Sequence, residues 1–321
     1  MRHSVMHVVS ISGGKDSTAT ALVARETVDH DAIRYVFADT GNEHEITYQY
    51  LTYLETKIGK IVRLKADFTD WWWSRVAYVR DVYPAKLVDK EGMSPAEADA
   101  VVRRILGVME RGPTGNPYLD LCMIKGRFPS RRAQFCTSEL KTGPLVEYDL
   151  GILDRGEADV VWSWQGIRAD ESANRANKPE FEEQGGGICV YRPIIRWKAA
   201  DTFEAMAVAG VEPNPLYRMA MTRVGCMPCI NAAKEEVKEI AARFPEHVDR
   251  IEEWEAMVRA ASKGNGASFF PAPTSDNRGA LRGNTIRQYV RWAKTMRGGR
   301  TQYMFADEPS KACTSSYGLC E

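Results

Sequence analysis

Six consecutive residues, Ser12-Gly13-Gly14-Lys15-Asp16-Ser17, hold the densest chemistry in this sequence. The two glycines permit backbone conformations that other residues resist, and so a close approach to an anion. Lys15 supplies a point charge, and the hydroxyls of Ser12 and Ser17 can donate hydrogen bonds. Asp16 is out of place beside a phosphate unless it holds Mg²⁺ or a bound nucleophile. The GxxxxGK[ST] spacing is absent, so this is not a Walker A loop. A second group is Gly166-Ile167-Arg168. Arg168 could clamp a phosphate or sulfate oxygen bidentately, a geometry that lysine does not reproduce. A salt bridge from Arg168 to Asp170 or Glu171 is the alternative. A third is Cys226-Met227-Pro228-Cys229, whose spacing lets two thiolates face one metal and also suits a redox dithiol.

These residues need elements to position them. Val5 to Ile11 is a short apolar run suited to a buried strand, and Thr18 to Glu26 has helical spacing. The six-residue string therefore joins a strand to a helix, where exposed amides and the helix dipole both attract an anion. Ile33 to Phe37 and Lys60 to Lys65 read as further strands, with a helix over Glu45 to Ile58 between them. Strands that alternate with helices imply a parallel sheet covered on both faces. Trp71 to Phe135 interrupts the rhythm with a Trp71-Trp72-Trp73 cluster and a helix over Ser94 to Arg111, and reads as a helical insertion. Strand signals return at Asp159 to Gln165 and Ile188 to Ile195. The expected organisation is a first domain over 1–200 and a mainly helical region over 201–321. In the latter, Glu235 to Ala261 reads as one long amphipathic stretch, Ser262 to Asn284 as a loop, and Thr285 to Met296 as a last helix.

Composition narrows the class. Lys+Arg and Asp+Glu are 43 each, so the formal net charge is zero, which argues against a protein that coats polyanions but leaves a local basic face open. Hydrophobic residues at 44% and charged residues at 27% describe a globular chain rather than a disordered one. Apolar runs fall short of a membrane span, and the N-terminus meets Gly, Lys and Asp too early for a signal peptide. A cytoplasmic location is expected, where the seven cysteines would be metal ligands or reactive thiols rather than disulfides. Cys122 and Cys189 read as small buried hydrophobes.

The SGGKDS string resembles the PP-loop of the ATP pyrophosphatases, the adenine-nucleotide α-hydrolase-like superfamily. Within it the chain looks most like the phosphoadenosine phosphosulfate (PAPS) reductase family. The supporting segments are Phe37-Ala38-Asp39-Thr40-Gly41-Asn42-Glu43, Cys136-Thr137-Ser138-Glu139-Leu140-Lys141, Gly166-Ile167-Arg168-Ala169-Asp170-Glu171-Ser172 and Gly225-Cys226-Met227-Pro228-Cys229. The resemblance implies an α/β fold, a Rossmann-like (HUP-type) five-stranded parallel sheet that binds an adenine nucleotide at the C-terminal ends of its strands. It implies nucleotide contacts from Ser12, Gly13, Gly14, Lys15, Asp16, Ser17, Asp39, Thr40, Lys141, Gly166 and Arg168. Lys15, Asp16 and Arg168 would be the catalytic set. For Asp39 a plain turn role stays open, and for Lys141 a solvated helix position.

Iron–sulfur members of the resembled family usually carry adjacent cysteines before the lysine and a later CxxC. Here Thr137 occupies the second of those positions, so a tail cysteine would have to replace that ligand. The implied site is a [4Fe–4S] cluster on Cys136, Cys226, Cys229 and Cys320, with Cys313 as an alternative ligand and zinc as the rival metal.

The resemblance leads to ATP and Mg²⁺, with cleavage that releases pyrophosphate and adenylates an acceptor for sulfur transfer or nucleic-acid modification. A sulfonucleotide reductase, taking PAPS or adenylyl sulfate and a thioredoxin-like reductant, is the alternative. The family's reductases typically have a degenerate loop and a His after the tail cysteine, whereas here the loop is intact and Cys320 is followed by Glu321. A nucleotide-binding sensor is a third reading. Partners expected are the nucleotide, a sulfur donor, a second copy of the chain, and a nucleic acid on Arg287, Arg291 and Lys294, which share a helix face interleaved with Tyr289 and Trp292. The acidic stretch from Glu235 to Glu255 could instead pair with that strip, or its arginines could bind a small nucleotide.

Overall fold

A computed structural model describes residues 4–271, 284–295, 317 and 319. In chain order the elements are β1 (Val5–Ile11), α1 (Lys15–Thr27), β2 (Ile33–Asp39), α2 (Glu45–Ile58), β3 (Ile61–Lys65), α3 (Thr69–Asp81), α4 (Tyr83–Asp89), α5 (Pro95–Met109) and α6 (Pro117–Lys125). There follow α7 (Gly143–Asp154), β4 (Val160–Trp164), β5 (Phe181–Gly185), β6 (Ile188–Tyr191), α8 (Ala199–Val208), α9 (Lys234–Arg243), α10 (Pro245–Ala261) and α11 (Ile286–Ala293). Internal contacts divide the chain into two compact units, residues 1–65, 138–227 and 312–321, and residues 66–137 and 228–311. The boundary expected at residue 200 lies inside the first unit, and the insertion expected over 71–135 falls in the second.

The first unit is a six-stranded sheet in the order β3-β2-β1-β4-β6-β5. β3, β2, β1, β4 and β6 are parallel, and β5 is antiparallel to β6. The five parallel strands were expected and β5 was not. Phe181–Gly185 carries two glutamates and no apolar alternation, so only its pairing with Ile188–Tyr191 makes it a strand. Gly185, Gly186 and Gly187 have φ of +81°, +62° and +83°, which lets the chain reverse there. The strand pleat sorts the core. Val9 and Ile11 face a cluster with Leu22 of α1, Leu51 and Leu54 of α2 and Met206 of α8, while Met6 and Val8 face Ile152 of α7.

The second unit is helical. α3 buries Trp72, Val76 and Val79, one stripe at i, i+4 and i+7, and the Trp72 indole donates to the Met109 carbonyl at 2.8 Å. Ser94 and Glu97 form a capping box at the start of α5. Arg104 of α5 donates to the carbonyls of Arg259, Ala260, Ser262 and Lys263, at 2.8 to 2.9 Å, and so satisfies the end of α10. The stretch Glu235 to Ala261 is two helices, not one. Pro245 stands at the first position of α10, and Phe244 before it takes φ −133° and ψ 59°. Proline disfavours helical backbone in the residue that precedes it, and cannot donate into the preceding turn.

Candidate active site

The sheet order switches direction at β1, whose neighbours are β2 on one side and β4 on the other. Ligands of open α/β sheets bind at the carboxyl ends of strands at such a switch. The loops that leave β1 and β4 there hold Ser12–Gly14 and Gly166–Arg168.

The first loop is tied by its own hydroxyls. Ser12 N donates to Ser17 Oγ at 3.0 Å, and Ser17 Oγ donates to the Gly14 carbonyl at 3.0 Å. Gly13 has φ +73°, and a Cβ there would stand 3.0 Å from Thr47 Cγ2. Asn214 Nδ2 donates to the Gly13 carbonyl at 3.2 Å. The Lys15 amide, at the start of α1, donates to the Tyr217 hydroxyl at 2.9 Å. Burial pushes the Tyr217 phenol well above its ordinary pKa, so it stays protonated.

The charged side chains converge on Asp16. Its Oδ2 accepts from Lys15 Nζ at 2.8 Å and its Oδ1 from Arg168 Nε at 2.6 Å. Lys15 and Arg168 are 5% and 4% exposed, so both cations are held out of water. Arg168 also donates through Nη1 to both Asp170 oxygens, at 2.6 and 2.8 Å. Burial works against the Arg168 charge, but Asp16 and Asp170 more than offset it and raise its pKa. The predicted salt bridge to Asp170 thus coexists with a second one to Asp16. The rings of Tyr217 and Tyr317 lie 5.9 and 5.5 Å from Lys15 Nζ. Arg175 pairs with Glu171, and its pKa is lowered by burial and by repulsion from Arg223.

Gly166 acts by closeness. A Cβ on it would stand 2.9 Å from the Asp16 carbonyl group and from Ser17 Cα. The end of β4 packs backbone to backbone against the start of α1, and Arg168 reaches Asp16 from there.

At the end of β2, Asp39 Oδ1 accepts from the Gly41 amide at 2.9 Å and the Tyr48 hydroxyl at 2.7 Å. The turn role left open for it is occupied. Thr40 is fully buried and donates to Glu43 Oε1 at 2.7 Å. Glu43 is 2% exposed. Burial raises its pKa, while the Lys141 charge and the Thr40 hydrogen bond lower it. Lys141 is half-buried in the irregular turn Ser138–Thr142. Cys226 Sγ lies 3.4 Å from Thr40 Oγ1 and 3.7 Å from Glu43 Oε1, and Cys226 bridges Glu43 through the backbone. Glu43, Tyr48 and Tyr217 were not among the predicted site residues. Glu43 ends the Phe37–Glu43 segment that carried the resemblance, whereas nothing local marks Tyr217, which lies 202 residues from its partner Lys15.

Among the predicted metal ligands, Cys226 belongs to the first unit, and Cys136 and Cys229 to the second. Cys229 Sγ accepts the Asn231 amide at 3.5 Å. Thiolates are donors that suit an iron–sulfur cluster or zinc. Cys313 and Cys320 lie outside the described residues. Burial raises the Cys122 thiol well above its ordinary pKa, which keeps it protonated and inert. On α11, Arg287 pairs with Asp249 at 2.5 Å and Glu252 at 3.0 Å of α10, so the predicted acidic partner holds that part of the basic strip. Arg278, Arg282, Arg297 and Arg300 lie outside the described residues. No helix among the described residues is long and apolar enough to cross a membrane.

Comparison with known proteins adds to this geometry. An uncharacterized 37.8 kDa protein of Escherichia phage 186 is 43% identical over 99% of this chain and 97% of its own length. The adenosine 5'-phosphosulfate reductase of Neisseria meningitidis serogroup A is 35% identical over 38% of this chain and 49% of its own. The crystal structure of the Candida auris phosphoadenylyl-sulfate reductase aligns over 70% of this chain and 82% of its own, at 13% identity and a TM-score of 0.39. The family model of the phosphoadenosine phosphosulfate reductase domain matches residues 6–105 and 108–232, so the chain belongs to that family.

Proposed function

We propose that this chain is a PP-loop ATP pyrophosphatase. It would bind ATP at the carboxyl edge of the sheet, present the α-phosphorus to an acceptor oxygen and release pyrophosphate, in a sulfur-transfer or nucleic-acid-modification reaction. The observation that carries this reading is the sharing of Asp16 between two buried cations, Lys15 and Arg168. Asp16 holds both cations in place at the loop before the nucleotide comes, so that their donors are preorganised for its phosphate oxygens. The roles then divide among the predicted residues. Ser12, Gly13, Gly14 and Ser17 shape the loop at the start of α1, where the helix N-terminus favours an anion. Lys15 and Arg168 stabilise charge on the departing pyrophosphate. Gly166 lets Arg168 reach the loop. Lys141 is a second anion contact, and Asp39 and Thr40 border the nucleotide. Mg²⁺, when bound, would add charge neutralisation on the phosphates, with Asp16 or Asp39 as its protein carboxylates. Cys136, Cys226, Cys229 and a tail cysteine would hold the iron–sulfur cluster, which could supply or relay sulfur.

A second reading has support from the relatives named adenosine 5'-phosphosulfate reductase. In it the same cations would bind adenylyl sulfate or PAPS, and the product would be sulfite. One pair of assays separates the two. Purified protein is given ATP and Mg²⁺ with candidate nucleic-acid acceptors and assayed for pyrophosphate, then given adenylyl sulfate or PAPS with thioredoxin and assayed for sulfite. Pyrophosphate without sulfite is expected. Sulfite without pyrophosphate would replace the first reading by the second, and ATP binding with neither product would leave a nucleotide sensor.

A further inference from the structure

In the second unit two exposed cations, Lys125 and Arg127, each stand over an aromatic ring. α3 buries Trp72, but its neighbours Trp71 and Trp73 are 45% and 46% exposed. Phe68 stacks on Trp71 with ring centres 5.8 Å apart, and Lys125 Nζ stands 4.7 Å over the Trp71 ring from the end of α6. Gly126 then turns the chain with φ +63°, pressed against Ser262, where a Cβ would come within 3.3 Å of the backbone. Arg127 follows, its guanidinium 5.7 Å over the Phe135 ring. Ser130 and Ala133 exchange backbone hydrogen bonds of 3.1 and 3.0 Å, which leaves Arg131 and Arg132 at the tip of a tight turn. Lys125, Arg127, Arg131 and Arg132 are all exposed, and no acidic residue occurs from Leu121 to Ser138.

We propose that this face docks a single-stranded nucleic acid, with phosphates on Lys125, Arg127, Arg131 and Arg132 and an unpaired base on Trp71. The half-exposed Trp71 leaves apolar area uncovered, and a partner that offers flat rings would cover it. Bases stack on such rings while cations neutralise the phosphates between them. An anionic membrane also attracts tryptophan and arginine, but an inserting face needs continuous apolar surface, and here the Trp71 and Phe135 rings each lie beneath a cation. The strip on α11 is the weaker candidate, because Arg287 is already committed to Asp249 and Glu252. The assignment names the acceptor class for the ATP-dependent reading above, and rests on that reading for its catalytic purpose.

The test uses the full chain without ATP. Fluorescein-labelled single-stranded RNA and DNA oligonucleotides of mixed sequence are titrated in a salt series and read by anisotropy. Binding that weakens with salt is expected. Arg131→Glu with Arg132→Glu should weaken it at least about tenfold and flatten the salt slope by roughly 1.5 to 2. Trp71→Ala should weaken it about tenfold with the slope unchanged. All three positions are exposed, and unchanged thermal unfolding shows that the variants are folded. Equal binding by the variants, equal affinity for duplex, or a preference for phosphatidylserine vesicles would each overturn the proposal. Calorimetry with ATP on the same protein separates the two readings. Absent ATP uptake removes the pyrophosphatase and leaves the docking face standing, whereas absent oligonucleotide binding with ATP uptake intact removes only the docking face.

Discussion

Asp16 and Gly166 are the two residues on which the site geometry turns. Asp16 joins Lys15 to Arg168, so the consequences of removing each partner differ. Lys15→Ala leaves the Asp16–Arg168 pair intact, and should cost roughly 10²- to 10³-fold in pyrophosphate release with little change in unfolding temperature. Asp16→Ala strips a partner from the buried Arg168, which keeps only Asp170. It should lose activity and also about 1–3 kcal/mol of stability, read by chemical denaturation. Full pyrophosphate release by Asp16→Ala would rule out the role given to the shared carboxylate. At Gly166 the obstacle is backbone, which cannot swing aside. Gly166→Ala should therefore cost about 1–3 kcal/mol and weaken ATP binding, measured by denaturant midpoint and calorimetry.

The element with the clearest electrostatic signature is α7. It lies on the sheet through Ile152 and carries Asp149, which is 2% exposed and has one oxygen without a hydrogen-bond partner. Burial pushes the Asp149 carboxyl up to about 6, with a hydrogen bond to Ser163 working the other way. An acid whose folded pKa lies above its unfolded value holds its proton more tightly when folded. Stability on this account is fully present below about pH 4, declines as pH rises to 6, and then stays reduced. Asp149→Asn removes the titration. It should raise stability at pH 8 by about 1–3 kcal/mol and by little at pH 4, compared by thermal unfolding at the two values. An unchanged difference across that range would show that the carboxyl does not titrate as described.

The molecule as a whole interleaves its two units along the chain. Residues 66–137 leave the sheet unit and pack with residues beyond 228. Inside the second unit Tyr118 stacks on Trp254 at 5.7 Å, and Arg104 closes the end of α10. A fragment ending at Met227 would keep every strand but strip α3 to α6 of those partners. Limited proteolysis of that fragment should cut within 66–137 and spare the sheet, whereas the full chain resists at the same sites. Cleavage in the strands first would show that the sheet unit does not stand on its own.

Local pattern was enough to read the parallel strands and the strand-to-helix loop after β1. Buried strands need apolar runs and a tight loop with positive φ needs glycine, both of which are short-range properties of the chain. The break at Pro245 was also legible in principle, because proline acts on its immediate neighbours. Long-range encounters were not. β5 is a strand only because β6 offers it hydrogen bonds. The Lys15 amide meets a phenol 202 residues away, and Asp16 gains its second cation from 152 residues away. Whether Arg287 faced solvent or an acidic helix depended on where α10 lay. Sequence thus determined which charged and hydrogen-bonding groups this protein carries. Tertiary packing alone decided which of them meet, because a charge takes its partners from neighbours in space rather than along the chain.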